Sequence, residues 1–323
     1  MELKGYYYWP FTVVDAENKF IVASITNDTA AAGIEKGDII EKINGKKIDE
    51  VFTERIQYIP ASTLAYGRLE FARDLKRTTD SITTIEVRRG SITKAVSLRN
   101  VYSKKYSDRW KPVLSYQKDS SICIFPGNVL YLNVGNIKSK DSTRIKELIK
   151  SSNGLIIDVR QNMEENGEAF NPFYIISMSL KQGPSPNTFT TQQPEFAGTF
   201  KFMDPAFLPK DPVVYHYKKR IAVLTDAAVI SVGETMAMDF SMAYDATLIG
   251  TPTSGTNGMN STLTMPGNML VGFSGTGNYW LSGKEIQRIG IQPKIIVRSS
   301  IQDYKEDRDS ILEKAIDFLS KKK

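Results

Sequence analysis

One cysteine and one histidine stand in 323 residues. That poverty excludes an internal disulfide and an ordinary Cys/His zinc site. Cys123 sits in the alternating run Ser121 to Phe125, where a free thiol behaves as a small hydrophobe. No apolar run approaches the roughly 18 residues of a membrane span. The start, Met1 to Gly5, has neither a basic patch nor an apolar stretch of the secretory kind. Runs of one charge sign are also lacking. The net charge is +6, but 36 acidic residues are interspersed among 42 basic ones, and the longest basic cluster is the tail Lys321 to Lys323. Such a surface is not a nucleic-acid footprint, and no nucleic-acid partner is expected.

What is present is the composition of a folded chain, 41% hydrophobic and 24% charged, long enough for two domains. The first ten residues, with Tyr6, Tyr7, Tyr8 and Trp9, read as an extended aromatic entry. Phe11 to Val14 and Phe20 to Ile25 flank a turn and predict a β-hairpin. Gly33 and Gly37 punctuate the approach to a strand at Ile39 to Ile43, and Asn44-Gly45 predicts a type I′ turn. Helical spacing runs from Glu54 to Lys76, interrupted at Pro60. Thr83 to Val87 and Ile92 to Leu98 form a second hairpin around Gly90.

A polar, aperiodic stretch, Ser103 to Lys118, marks a boundary. We expect an entry segment over 1–10, a first domain over 11–104 and a second over 105–323. In the second, Gly154 to Val159 and Ile221 to Thr225 are uninterrupted apolar runs, the pattern of parallel strands buried on both faces. With helices predicted at Thr143 to Lys150, Phe170 to Leu180 and Ser231 to Tyr244, strand and helix alternate as in an α/β core.

The chemistry concentrates where the strand at Ile221 runs through small residues into Ser231. Two readings of Ser231 follow from the residues themselves. Ser231 with Glu234 three positions on spells a capping box, a local device for starting a helix. Alternatively, a serine at a helix N-terminus lies in the positive end of the backbone field, and the next N–H, that of Val232, is placed to donate to an oxyanion.

The order of motifs resembles the C-terminal-processing (tail-specific, tricorn-like) serine peptidases. Ala32 to Ile48 is similar to the central signature of a PDZ domain. Gly154 to Asn162 resembles the family's strand ending in Asp-x-Arg-x-Asn. The Ser231 helix start, the run Leu248 to Gly258, Gly290-Ile291-Gln292-Pro293 and the closing stretch Arg308 to Ala315 follow in the family's order. The resemblance implies an α/β (α+β overall) protein: a PDZ-like β domain with a helical insertion, followed by a crotonase/ClpP-like αβ catalytic domain. It implies Ser231 as nucleophile, peptide or protein substrates, no cofactor and no metal, and a periplasmic, extracellular or lipid-anchored setting. It implies oxyanion donors at the backbone of Val232 and Met163.

Departures from the pattern matter. The serine–lysine members carry a lysine where this chain reads Gly255-Thr256-Asn257-Gly258, so the likeness is to the branch that uses a histidine. His216 does not match that branch's histidine. The expectation is therefore a histidine from an N-terminal segment outside these residues, and weak or no activity of the chain alone. Glu285 is the candidate acid. Glu164 and Glu165 beside Met163 are unfavourable to an oxyanion if turned inward. The alternative reading is a catalytically degenerate peptide-binding protein of the same fold.

Overall fold

Glu17 and Asn18 both take left-handed backbone angles (φ 52° and 59°), and so do Asn44 and Gly45 (48° and 80°). These are the I′ turns whose twist matches paired strands. The computed structural model describes residues 6–26, 31, 33–103, 121–160, 176, 187–193, 195–196, 198–204 and 217–321. The expected helix from Phe170 to Leu180 lies largely outside them. The chain divides into two compact units: Met1–Gln117 with Arg298–Ser310, and Lys118–Val297 with Ile311–Lys323.

In the first unit the hairpin turns join Phe11–Ala16 to Lys19–Ile25, and Ile39–Ile43 to the short Lys46–Lys47. Ile82–Arg89 and Ile92–Arg99 complete the antiparallel sheet. Helix begins earlier than the expected Glu54: Ile48–Arg55 with a following 3₁₀ turn precedes Pro60, and Leu64–Leu75 follows it. Phe11, Phe20 and Phe71 close the core with Ile40, Ile85 and Leu98. Arg68 forks onto Asp15 at 2.7 and 2.8 Å while its guanidinium lies 4.5 Å from the Phe20 ring centroid. The segment Arg298–Ser310 groups with this unit. Its helix Ile301–Lys305 starts at a complete capping box, Ser300 with Asp303, and sets Ile301 and Tyr304 against Val14, Ala16, Ile21 and Ala23.

The second unit is built on a six-stranded sheet ordered Ile122–Phe125, Val129–Asn133, Gly154–Asp158, Ile221–Thr225, Thr247–Gly250, Ile295–Ile296. The first pair is antiparallel; every later pair is parallel. Strand period two explains the apolar runs. Leu130, Leu132, Leu155, Ile157, Ile221 and Val223 face one side, against Ile145 and Ile149 of the helix Ser142–Ser151 and Met236 and Phe240 of the helix Val232–Ala243. Val129, Tyr131, Ile156, Ala222, Leu224 and Ile249 face the other, against Ile311, Leu312 and Ala315 of the helix Ser310–Ser320. Both faces are covered, as an all-parallel region requires. This unit also holds a smaller sheet, Phe200–Phe202, Asn187–Gln192, Asn278–Trp280, and an isolated hairpin, Asn260–Met265 with Met269–Ser274. No helix among the described residues is long and apolar enough to cross a membrane.

Candidate active site

The carboxyl ends of parallel strands are where α/β sheets place their sites, and the singular residues of this sheet gather there. Gly154–Asp158 ends in a buried ion pair. The Asp158 carboxylate accepts the Arg160 backbone N–H at 3.0 Å, Arg160 Nε at 2.9 Å, Arg160 Nη2 at 2.8 Å and the Tyr131 hydroxyl at 2.8 Å. Both members are nearly sealed from solvent. A carboxylate with this many donors is satisfied, and the fork fixes where the chain leaves the strand. Two strands over, Gly250 has φ 136°, and a Cβ there would stand 1.9 Å from the carbonyl oxygen of Thr225 on the intervening strand, so only glycine fits.

Ser231 follows Ile221–Thr225 through a short turn. Its backbone is strained, with φ 50° and ψ −120°, a region that L-residues with side chains rarely occupy. Three hydrogen bonds hold it. Its N–H donates to the Thr256 carbonyl at 2.7 Å, and its own carbonyl accepts the N–H groups of Glu234 (3.0 Å) and Thr235 (3.1 Å). The side chain is half-buried and makes no capping bond. The capping-box reading is thereby corrected: Ser231 does not cap, and Glu234 does not reach back to it. Gly233 makes the tight turn possible, because a Cβ there would press on Val229 at 3.0 Å. The Val232 N–H, first in the helix, finds no acceptor among the described residues.

Glu234 turns inward instead. It is fully buried, and Oε1 accepts the Thr253 hydroxyl and the Gly255 N–H, the latter at 2.7 Å. Oε2 has no partner among the described residues. Burial pushes its carboxyl up to about 7, against the pull of the hydrogen bonds from Thr253 and Gly255. Thr253 Oγ1 also accepts the Ile291 N–H at 2.8 Å. Gly290 is there because a side chain would meet the Thr253 carbonyl at 2.3 Å. Glu234 is thus the post to which Thr253–Thr256 is tied, and Thr256 in turn holds Ser231.

Of the residues singled out from the sequence, the structure puts Ser231 and Val232 together at one strand-to-helix turn. Glu285 is exposed, in the turn after Asn278–Trp280, where its backbone bridges Tyr279. Met163, Glu164, Glu165 and His216 lie outside the described residues. Sequence reasoning missed the inward role of Glu234 and of Thr253; the signal was a carboxylate on a helix whose buried residues are otherwise apolar except for Asp239.

These features are a strained, half-buried serine at a strand-to-helix turn on the carboxyl side of a mostly parallel α/β sheet. Comparison makes the assignment. The model of peptidase family S41 matches residues 128–297, and the chain belongs to that C-terminal-processing family. Mature CPAF complexed with lactacystin is similar in fold: TM-score 0.72, 15% identity, 98% of this chain and 83% of that chain covered. So is a candidate peptidase from Parabacteroides merdae, with TM-score 0.53, 18% identity, and 64% and 67% covered. At these identities the likeness is one of fold. A sequence search of curated proteins finds no match.

Proposed function

We propose that the chain carries the nucleophile of a serine endopeptidase that cleaves extended or C-terminal peptide segments through an acyl-enzyme on Ser231. The observation that carries this reading is the strained backbone of Ser231, φ 50° and ψ −120°, at a strand-to-helix turn. A serine there stands clear of its own helix, and strain at a single non-glycine residue is a feature of functional turns. In the proposed reaction Ser231 Oγ attacks the scissile carbonyl and a base takes its proton. The Val232 N–H donates to the oxyanion, with the backbone at Met163 as second donor. The amine leaves with a proton, and water then releases the acyl group. Glu285 is the proposed acid that orients the base. The base itself is proposed to be a histidine from outside residues 1–323, since Gly255 to Gly258 carries no lysine.

The first unit is proposed to be PDZ-like, taking peptide C-termini by strand addition. Its left-handed glycines at 33 and 37 and its Asn44-Gly45 turn support this. The family resemblance also supports a cell-envelope, periplasmic or extracellular setting. To test the function, an unfolded protein substrate is incubated with the chain and added imidazole, and new termini are read by mass spectrometry. New termini that disappear in Ser231→Ala are expected. A digest indistinguishable between the two proteins overturns the reading.

A further inference from the structure

Between Asp245 and Lys284 the chain has no charged side chain at all, and the middle of that stretch is the isolated hairpin Asn260–Met265 with Met269–Ser274. Its register places Leu263 opposite Val271, Met265 opposite Met269, and Ser261 opposite Phe273. Cross-strand partners share a face. One face is therefore Leu263, Met265, Met269, Val271 and Phe273 with Ser261, and the other is Asn260, Thr262, Thr264, Gly272 and Ser274 with Leu270. The apolar face is not buried: its five apolar side chains are 43 to 59% exposed. The hairpin pairs with no other strand among the described residues, and no charge guards its edges in the way open strands are usually protected.

Two observations identify what covers this face. The first is continuity with the serine. Thr256, whose carbonyl holds the Ser231 N–H, lies four residues before Asn260. The hairpin's base is pinned at that point: Gln287 Nε2 donates to the carbonyls of Asn257 and Thr276, and the Met259 N–H donates to the Thr276 hydroxyl at 2.8 Å. The second is size. The exposed apolar face amounts to on the order of 500 Å², short of the roughly 800 Å² per partner that a stable protein dimer buries, but ample for a short segment of chain.

We infer that this hairpin is a substrate platform, which receives alternate apolar side chains of an extended, uncharged peptide running from the scissile bond at Ser231. The inference rests on the reading of Ser231 as the nucleophile. Six residues of strand span about 20 Å, so the platform reaches about six residues of an extended substrate. It selects long apolar segments and does not touch a substrate of two or three residues.

The test uses Ser231→Ala as the uncleaving background and the pair Leu263→Thr with Val271→Thr as the variant. Threonine keeps strand preference and removes oiliness. Fluorescence anisotropy follows a labelled ten-residue unstructured peptide with leucine at alternate positions, and a second peptide with serine at those positions. The leucine peptide is expected to bind about tenfold more weakly to the variant, with the serine peptide weak on both. Equal affinity of the leucine peptide for the two proteins overturns the inference, as does its failure to bind either. Sedimentation velocity on the same samples is expected to show no change in association state. A dimer of the parent that dissociates in the variant would assign the face to a second copy and overturn it too. Circular dichroism checks folding, and the single change Val271→Thr, expected to give a smaller loss in the same direction, serves if the pair misfolds. Hairpin-dependent binding combined with absent cleavage would defeat the catalytic reading, and with it the placement of the peptide at a scissile bond, and would leave the hairpin as a surface for apolar peptides.

Discussion

The backbone N–H of Ser231 donates to the carbonyl of Thr256 at 2.7 Å. This bond joins the proposed nucleophile to a loop 25 residues further on that is itself tied down by Glu234, three residues after the serine. A closed ring of contacts results: Ser231 to Thr256, along the backbone to Gly255, from the Gly255 N–H to the Glu234 carboxylate, and through one turn of helix back to Ser231. The ring explains how a serine with a side chain persists at φ 50°. The local strain, of order 1–3 kcal/mol, is offset by bonds that exist only in this conformation.

Relief of that strain is measurable. Glycine takes positive φ freely, so Ser231→Gly is expected to be more stable than Ser231→Ala by about 1 kcal/mol, the reverse of the usual order. Urea unfolding of the two variants decides it; an alanine variant equal to or more stable than the glycine one contradicts the strained turn.

Glu234 predicts a pH dependence. Its folded carboxyl is raised to about 7 from the ordinary value of 4.5, so between those values the folded state holds a proton that the unfolded chain has released. Stability from this group is full below about pH 4.5, falls as pH rises, and is lost above about pH 7. Glu234→Gln mimics the protonated form and is expected to lose less stability than the parent between pH 5 and 8, by a few kcal/mol at most. Parallel slopes for the two proteins would show that the carboxylate is not the cause.

At the end of the central strand, Arg160→Ala strands the buried Asp158 carboxylate without its main partner. A loss of about 3–5 kcal/mol is expected. Arg160→Lys, which keeps the charge but not the fork, should recover only part of it. Thermal denaturation of both variants tests this, and full recovery by lysine would refute the geometric role.

Gly250→Ala places a methyl group 1.9 Å from the Thr225 carbonyl oxygen at φ 136°. The change is expected to cost more than about 3 kcal/mol or to prevent folding. A soluble variant with parental unfolding midpoint would contradict the close approach of the two strand ends.

How much of this was legible beforehand depends on how local the cause is. Gly154 to Val159 and Ile221 to Thr225 announced themselves because burial on both faces leaves an uninterrupted apolar run. The turn at Asn44-Gly45 was legible because its φ angles need those residue types. Ser231 with Glu234 misled for the same reason. A capping box is a local pattern, but Thr253 and Gly255, 19 and 21 residues beyond Glu234, offer its carboxylate buried donors that the Ser231 N–H cannot match, since that N–H is taken by Thr256. No spacing rule reports such a distant competitor. Equally, nothing in the composition of Arg298 to Ser310 says that Ile301 and Tyr304 cover Val14 and Ile21. Those contacts become visible only once the sheet of the first unit has formed.

The account depends most on one reactive oxygen, and covalent capture reads it directly. A fluorophosphonate probe is added to the folded chain with imidazole, and the adduct is located by peptide mass mapping. A single adduct on Ser231, absent from Ser231→Ala, is the predicted result. An intact, folded protein that takes up no probe at Ser231, or takes it up equally after that substitution, would contradict the claim.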